Sequence, residues 1–205
     1  MADNVAAVVR LMLVTDDRLV AGRDLVALAT AAERGGVTSV QLRLKRASAR
    51  ELLAAARALV AALRVPVLVN DRPDVAVAAG AAGVHLGPDD LPVELVRRVV
   101  PAGFIIGASA GSPDEMAAAA GADYWGVGPW RVTGTKGDAG AALGADGFRR
   151  IVQHSGGRPC VAIGGVRPED VGPVLAAGGA GVAVVAGILG EEDVEAAARR
   201  YTRSP

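Results

Sequence analysis

Short apolar runs rich in β-branched residues alternate along the chain with longer alanine-rich stretches of helical periodicity. The runs at 10–15, 39–44, 67–70, 83–86, 105–108, 124–128, 160–163 and 181–185 predict strands. The stretches near 24–34, 48–63, 73–80, 92–100, 113–120, 145–154, 168–177 and 191–202 predict helices. Several helices carry start signals: Ser48 with Glu51 three residues on, Ser112-Pro113 before Glu115, and Arg167-Pro168-Glu169-Asp170. Eight strands, each followed by a helix, predict an α/β fold, a (β/α)8 TIM barrel, as one domain over residues 1–205. A doubly wound open sheet is the alternative, but the regular units and short connections favour closure.

Composition adds exclusions. Lysine plus arginine and aspartate plus glutamate balance at 22 each, which argues against nucleic acid or a membrane surface as the main partner. No apolar run approaches the ~20 residues of a membrane span, and the N-terminus lacks a signal-peptide pattern. The chain therefore reads as soluble and cytoplasmic, and a homo-oligomer stays open. Cys160 lies within an apolar run and reads as a buried small hydrophobe. Lys45 and Lys136 are the only lysines, and both fall in polar loops after strands.

In a barrel the loops after the strands share one mouth, where sites are built. After the second predicted strand, alternation puts Gln41, Arg43 and Lys45 on one face, a set suited to an anionic ligand. Asn70-Asp71-Arg72-Pro73 follows the third strand. Asp71 suits either a helix cap or a metal, and Asp90, in Gly87-Pro88-Asp89-Asp90-Leu91-Pro92 after the fourth, offers the same choice. Carboxylates from adjacent loops are a usual way to hold Mg²⁺, with water and substrate phosphate completing the shell. His85 reads as a hydrogen-bonded strand-end residue and His154 as a surface or C-cap residue. Ser109 ends the fifth strand with no histidine base evident beside it, so a nucleophilic serine is not expected. Thr133-Gly134-Thr135-Lys136 after the sixth strand, Gly164-Gly165 after the seventh and Val185-Ala186-Gly187 after the eighth suit phosphate.

Together these loops resemble the thiamine phosphate synthase (thiamine-phosphate pyrophosphorylase) family over essentially the whole chain. The markers are Gln41-x-Arg43-x-Lys45, Val69-Asn70-Asp71, His85-x-Gly87-x-x-Asp90, Gly121-Ala122-Asp123-Tyr124, Gly128-Pro129 with Thr133-x-Thr135-Lys136, and Ala162-Ile163-Gly164-Gly165. The resemblance implies an enzyme that joins 4-amino-2-methyl-5-(diphosphooxymethyl)pyrimidine to thiazole phosphate, releasing pyrophosphate by a dissociative substitution. It implies that Gln41 to Lys45, Asn70, Ser109 and Lys136 contact the pyrimidine diphosphate and that Asp71 and Asp90 bind Mg²⁺. It further implies that Thr133, Gly134, Thr135, Gly165, Val185 and Ala186 hold the thiazole phosphate, with Arg43, Lys45 and Lys136 supporting catalysis. Met12, Leu44, Pro88, Gly111 and Ala186 depart from the family pattern. The rival readings are a thiazole tautomerase, whose histidine base the resemblance would place at Gly111, and a non-catalytic paralogue binding thiazole phosphate or thiamine phosphate.

Overall fold

A computed structural model describes residues 2–132 and 141–202. Eight parallel strands close into a barrel in sequence order: β1 Leu11–Val14, β2 Ser39–Leu42, β3 Val67–Asn70, β4 Gly83–Leu86, β5 Ile105–Ser109, β6 Tyr124–Val127, β7 Cys160–Ile163 and β8 Gly181–Val184. The circle closes where Met12 lies opposite Ala183 on one side and Ser39 on the other. The helices are α1 Ala2–Val8, α2 Leu25–Arg34, α3 Ala49–Ala62, α4 Pro73–Ala79, α5 Val93–Val99, α6 Pro113–Ala118, α7 Gly144–Gln153, α8 Val171–Ala176, α9 Ala186–Leu189 and α10 Val194–Thr202. This is the (β/α)8 barrel that the alternation predicts, and the open sheet is excluded.

Local chemistry starts the helices where expected. Ser48 and Glu51 form a reciprocal capping box on α3, with Ser48 N–H donating to Glu51 at 2.8 Å. Ser112 caps α6 by accepting from Glu115 N–H at 3.3 Å, and Pro113 occupies its first turn. Pro168–Asp170 forms a 3₁₀ turn ahead of α8. His154 is the C-cap of α7, its Nδ1 2.7 Å from Arg150 O. Cys160 is fully buried, and burial pushes its thiol up to about 11, as suits a core residue.

Two apolar layers follow from strand alternation. Outward residues such as Leu13, Leu42, Val69, Val84, Ile106 and Val184 pack under the helices. Inward residues Met12, Val14, Leu68, Tyr124, Val161 and Ala183 fill the barrel together with Val5, Val8 and Val9. The sequence reading placed no helix at the N-terminus. Helix α1 is that missed element, and its Val5 and Val8 join the interior core just ahead of β1, at the end opposite the mouth. Seven residues are too few for a periodicity signal to stand out.

Candidate active site

At the mouth, β2 ends two residues earlier than the sequence pattern suggests. Arg43 N–H leaves the ladder and donates to Thr15 Oγ1 at 2.8 Å, while that hydroxyl sits 3.1 Å from Arg43 O. Lys45 and Arg46 N–H groups donate to the Asp17 carboxylate at 2.9 and 3.2 Å. Gln41 therefore points into the barrel, 4% exposed, but strand alternation does not set Arg43 and Lys45. They are set by a Thr15-Asp16-Asp17 loop that the sequence reading did not single out, and the Arg43 guanidinium pairs with Asp16 at 3.8 Å. The polar end of β1 at Thr15-Asp16-Asp17 is the sequence signal for it.

The caps left open for Asp71 and Asp90 are not made. The N-cap of α4 is Arg72 and that of α5 is Pro92, neither with a side-chain cap. Asp71 is the one non-glycine with positive φ among the described residues, at 65°, and Arg72 N–H closes back on Asn70 O at 2.8 Å. A γ-turn with positive φ is rare and strained, and it is held here by Asp71 N–H donating to His85 O at 2.8 Å. The turn sets the Asp71 carboxylate 3.7 Å from Lys45 Nζ and within hydrogen-bonding reach of Asp90. Asp90 is anchored by Gly87 N–H at 2.6 Å. Burial first, and then the Asp71 carboxyl, raise the Asp90 carboxyl above the usual aspartate range, with Gly87 N–H and Lys45 opposing.

Two hard oxygen ligands on neighbouring loops, mutually repulsive when ionised, fit Mg²⁺, which is commonly held by one or two carboxylates plus water and phosphate. No cluster of three or more His, Cys, Asp or Glu ligands occurs among the described residues.

Inside the mouth lies a polar line. Tyr124 Oη stands 3.0 Å from His85 Nδ1, and His85 Nε2 stands 3.4 Å from Ser109 Oγ. A histidine does adjoin Ser109, contrary to the sequence reading. The two lie 24 residues apart, and only the pairing of β4 with β5 unites them. Asn70 lies opposite His85 in the β3–β4 register, on the same rim.

On the far side, Gly164 and Gly165 adopt positive φ, 90° and 71°. A Cβ at Gly165 would fall 2.9 Å from Arg131 Cβ, so glycine lets the loops after β6 and β7 approach. Trp130 N–H and Arg131 N–H donate to Ile163 O and Gly164 O at 2.8 and 2.9 Å. Val185 leads into α9, whose first turn begins at Ala186, where N–H groups have no partner within the helix itself. Thr133, Gly134, Thr135 and Lys136 lie outside the described residues; the structure places the flanks of that loop, through Val132 and from Ala141, at the mouth.

The sequence profile of a family described as thiamine monophosphate synthase matches residues 11–188. The thiamine-phosphate synthase of Azorhizobium caulinodans is 47% identical over 194 residues, covering 92% of this chain and 91% of that protein. The thiamine-phosphate synthase of Xanthobacter autotrophicus is 50% identical, with 92% of each chain covered. Among solved structures, thiamine phosphate pyrophosphorylase from Pyrococcus furiosus superposes with a TM-score of 0.87 at 36% identity, covering 98% of this chain and 96% of that one.

Proposed function

The chain belongs to the thiamine monophosphate synthase family, and from that premise we propose that it couples 4-amino-2-methyl-5-(diphosphooxymethyl)pyrimidine to thiazole phosphate, giving thiamine phosphate and pyrophosphate. The observation that carries this reading is the Asp71–Asp90 carboxylate pair with Lys45 beside it, Arg43 standing, like Lys45, just past the end of β2. Such a mouth is built to receive a diphosphate with a divalent cation.

The bond to break joins the pyrimidine methylene carbon to a diphosphate oxygen. Its electron pair leaves with pyrophosphate, and the thiazole nitrogen then donates its own pair to the pyrimidinylmethyl cation. This needs stabilisation of departing charge and alignment of two substrates more than a protein nucleophile. Mg²⁺, held by Asp71 and Asp90, would supply positive charge to the diphosphate. Arg43, fixed through its backbone by Thr15, and Lys45 add cationic charge beside it. Lys136 joins them in this reading. Gln41, Asn70 and Ser109 would hold the pyrimidine. Gly165, the start of α9 at Val185 and Ala186, and Thr133 to Thr135 would hold the thiazole phosphate.

A tautomerase reading draws less support. A Cβ at Gly111 would lie 2.7 Å from Gly128 O, so the required histidine there would force a backbone shift. The test is turnover of both substrates with and without Mg²⁺, following pyrophosphate and thiamine phosphate together. Mg²⁺-dependent formation of both is expected. Binding of thiazole phosphate without any product would favour the non-catalytic paralogue instead.

A further inference from the structure

The polar line across the barrel has a direction. Tyr124 is 1% exposed, and burial raises its phenol well above the ordinary tyrosine range, so it keeps its proton. Gln41 lies close enough to the same phenol to oppose that rise, and its amide N–H donates to Met12 Sδ at 3.4 Å. The phenol's own proton needs an acceptor, because a buried unmade donor is expensive. His85 Nδ1, at 3.0 Å, is the acceptor in place for it.

We propose that Tyr124 is a positioning residue whose hydroxyl donates to His85 Nδ1 and so fixes the Nε2–H tautomer. In that tautomer His85 donates to Ser109 Oγ and cannot take its proton. Ser109 is thereby an acceptor toward the barrel and presents its own O–H to an acceptor atom of the pyrimidine substrate. The opposite tautomer would leave Nε2 as a base against a serine hydroxyl, an arrangement that activates nucleophiles. The direction of one buried hydrogen bond therefore separates a binding serine from an attacking one.

The interior is hollowed for these two rings. A Cβ at Gly107 would stand 2.1 Å from Tyr124 Cζ, and one at Gly126 would stand 2.9 Å from His85 Cε1. Both glycines lie on the inner face of the strands beside the relay, Gly107 opposite Tyr124 in register and Gly126 opposite Ser109. Neither has the positive φ that would otherwise call for glycine. Space for the rings is their remaining explanation.

The tautomer is directly readable, since the chain has only two histidines. Long-range ¹H–¹⁵N correlation spectra of the wild-type protein at about pH 8, above the ordinary imidazole range, with His154→Gln to assign the exposed ring, should show His85 as the Nε2–H form. A predominantly Nδ1–H or cationic His85 overturns the proposal, and this arm needs no substrate and no relay variant. Tyr124→Phe should then produce a mixture of tautomers; an unchanged spectrum also overturns it. The kinetic arm rests on the proposed function: Tyr124→Phe should raise KM for the pyrimidine diphosphate about tenfold, with KM for thiazole phosphate little changed. In a Ser109→Ala background the same change should add almost nothing. Full additivity would sever Tyr124 from Ser109. If the enzyme proves inactive with these substrates while the spectrum shows the Nε2–H form, the synthase reading fails and the relay stands.

Discussion

Arg131 and Asp170 form a two-pronged ion pair, Nε to Oδ2 at 2.9 Å and Nη2 to Oδ1 at 2.5 Å, that ties the start of the loop after β6 to the turn before α8. The acid is nearly buried, whereas the arginine is largely open to solvent. Asp170 also accepts from Arg167 N–H at 2.8 Å. It therefore closes its own turn and grips the neighbouring loop with the same carboxylate. Both loops flank the proposed thiazole phosphate site.

Asp170→Ala should lower stability by about 1–3 kcal/mol, because it leaves Arg167 N–H without its acceptor and frees the loop beside Gly165. Burial alone would raise the Asp170 carboxyl, but the Arg131 guanidinium, Arg167 N–H and Trp130 outweigh it and hold it below the usual aspartate range. A depressed acid contributes stability that is full above the unfolded value of about 4 and is lost as pH falls through the lowered one. The gap in melting temperature between wild type and variant should thus be full at neutral pH and close only under strong acid. A constant gap down to the lowest measurable pH would contradict the assignment.

Asp90→Asn should separate stability from function. A raised acid contributes stability only below the unfolded value, and the contribution is lost as pH rises through the raised one. At neutral pH and without metal, the wild-type protein therefore carries the cost of an ionised, partly buried Asp90 and its repulsion from Asp71. Asparagine can still accept from Gly87 N–H, so in EDTA the variant should melt higher than wild type, by about 2 °C. Under the proposed function, its Mg²⁺-dependent turnover should fall by at least about a hundredfold. A lower melting point in EDTA would show that neither burial nor Asp71 penalises the ionised Asp90.

Gly107→Ala tests the hollowed interior. The added methyl would meet the Tyr124 ring at 2.1 Å inside a closed strand layer, where neither ring nor backbone has room. Overpacking at such a position should cost about 3 kcal/mol. Gly103, with open space around a built Cβ, has φ 81° and is no control for packing alone. Gly121→Ala serves better: its Cβ meets only a Val93 methyl at 3.3 Å, and it should change denaturation midpoints little.

The barrel was legible because its signal is repetitive: eight apolar runs, each bounded by glycine or a polar strand end, leave few topologies. Single residues in the mouth were legible as chemistry but not as geometry. Asp71 and Asp90 each admitted a cap or a metal, and only the γ-turn at Asp71 and the Gly87 anchor of Asp90 removed the cap. Pairs were the least legible. The sequence shows no histidine beside Ser109 and offers Asp170 only as part of a helix start signal, not as a partner of Arg131, because partners 24 and 39 residues apart meet only through strand neighbours or packed loops. A local periodicity carries no record of such meetings.

Lys45 gives the most discriminating prediction, since its two roles have opposite signs. Its ammonium sits 3.7 Å from the Asp71 carboxylate and 55% of the side chain is exposed, so solvent screens much of the pairing. In the metal-free protein that positive charge partly offsets the acidic pair and opposes a cation arriving there. Lys45→Ala should therefore tighten Mg²⁺ binding in the absence of substrate, by roughly threefold given the screening. With the pyrimidine diphosphate bound, the same ammonium faces developing negative charge on the leaving group, and its loss should reduce kcat by roughly 10- to 100-fold. Titration calorimetry with Mg²⁺ and steady-state kinetics on one preparation measure both. Weaker Mg²⁺ binding in the variant would mean that Lys45 organises the Asp71 loop instead of competing with the cation.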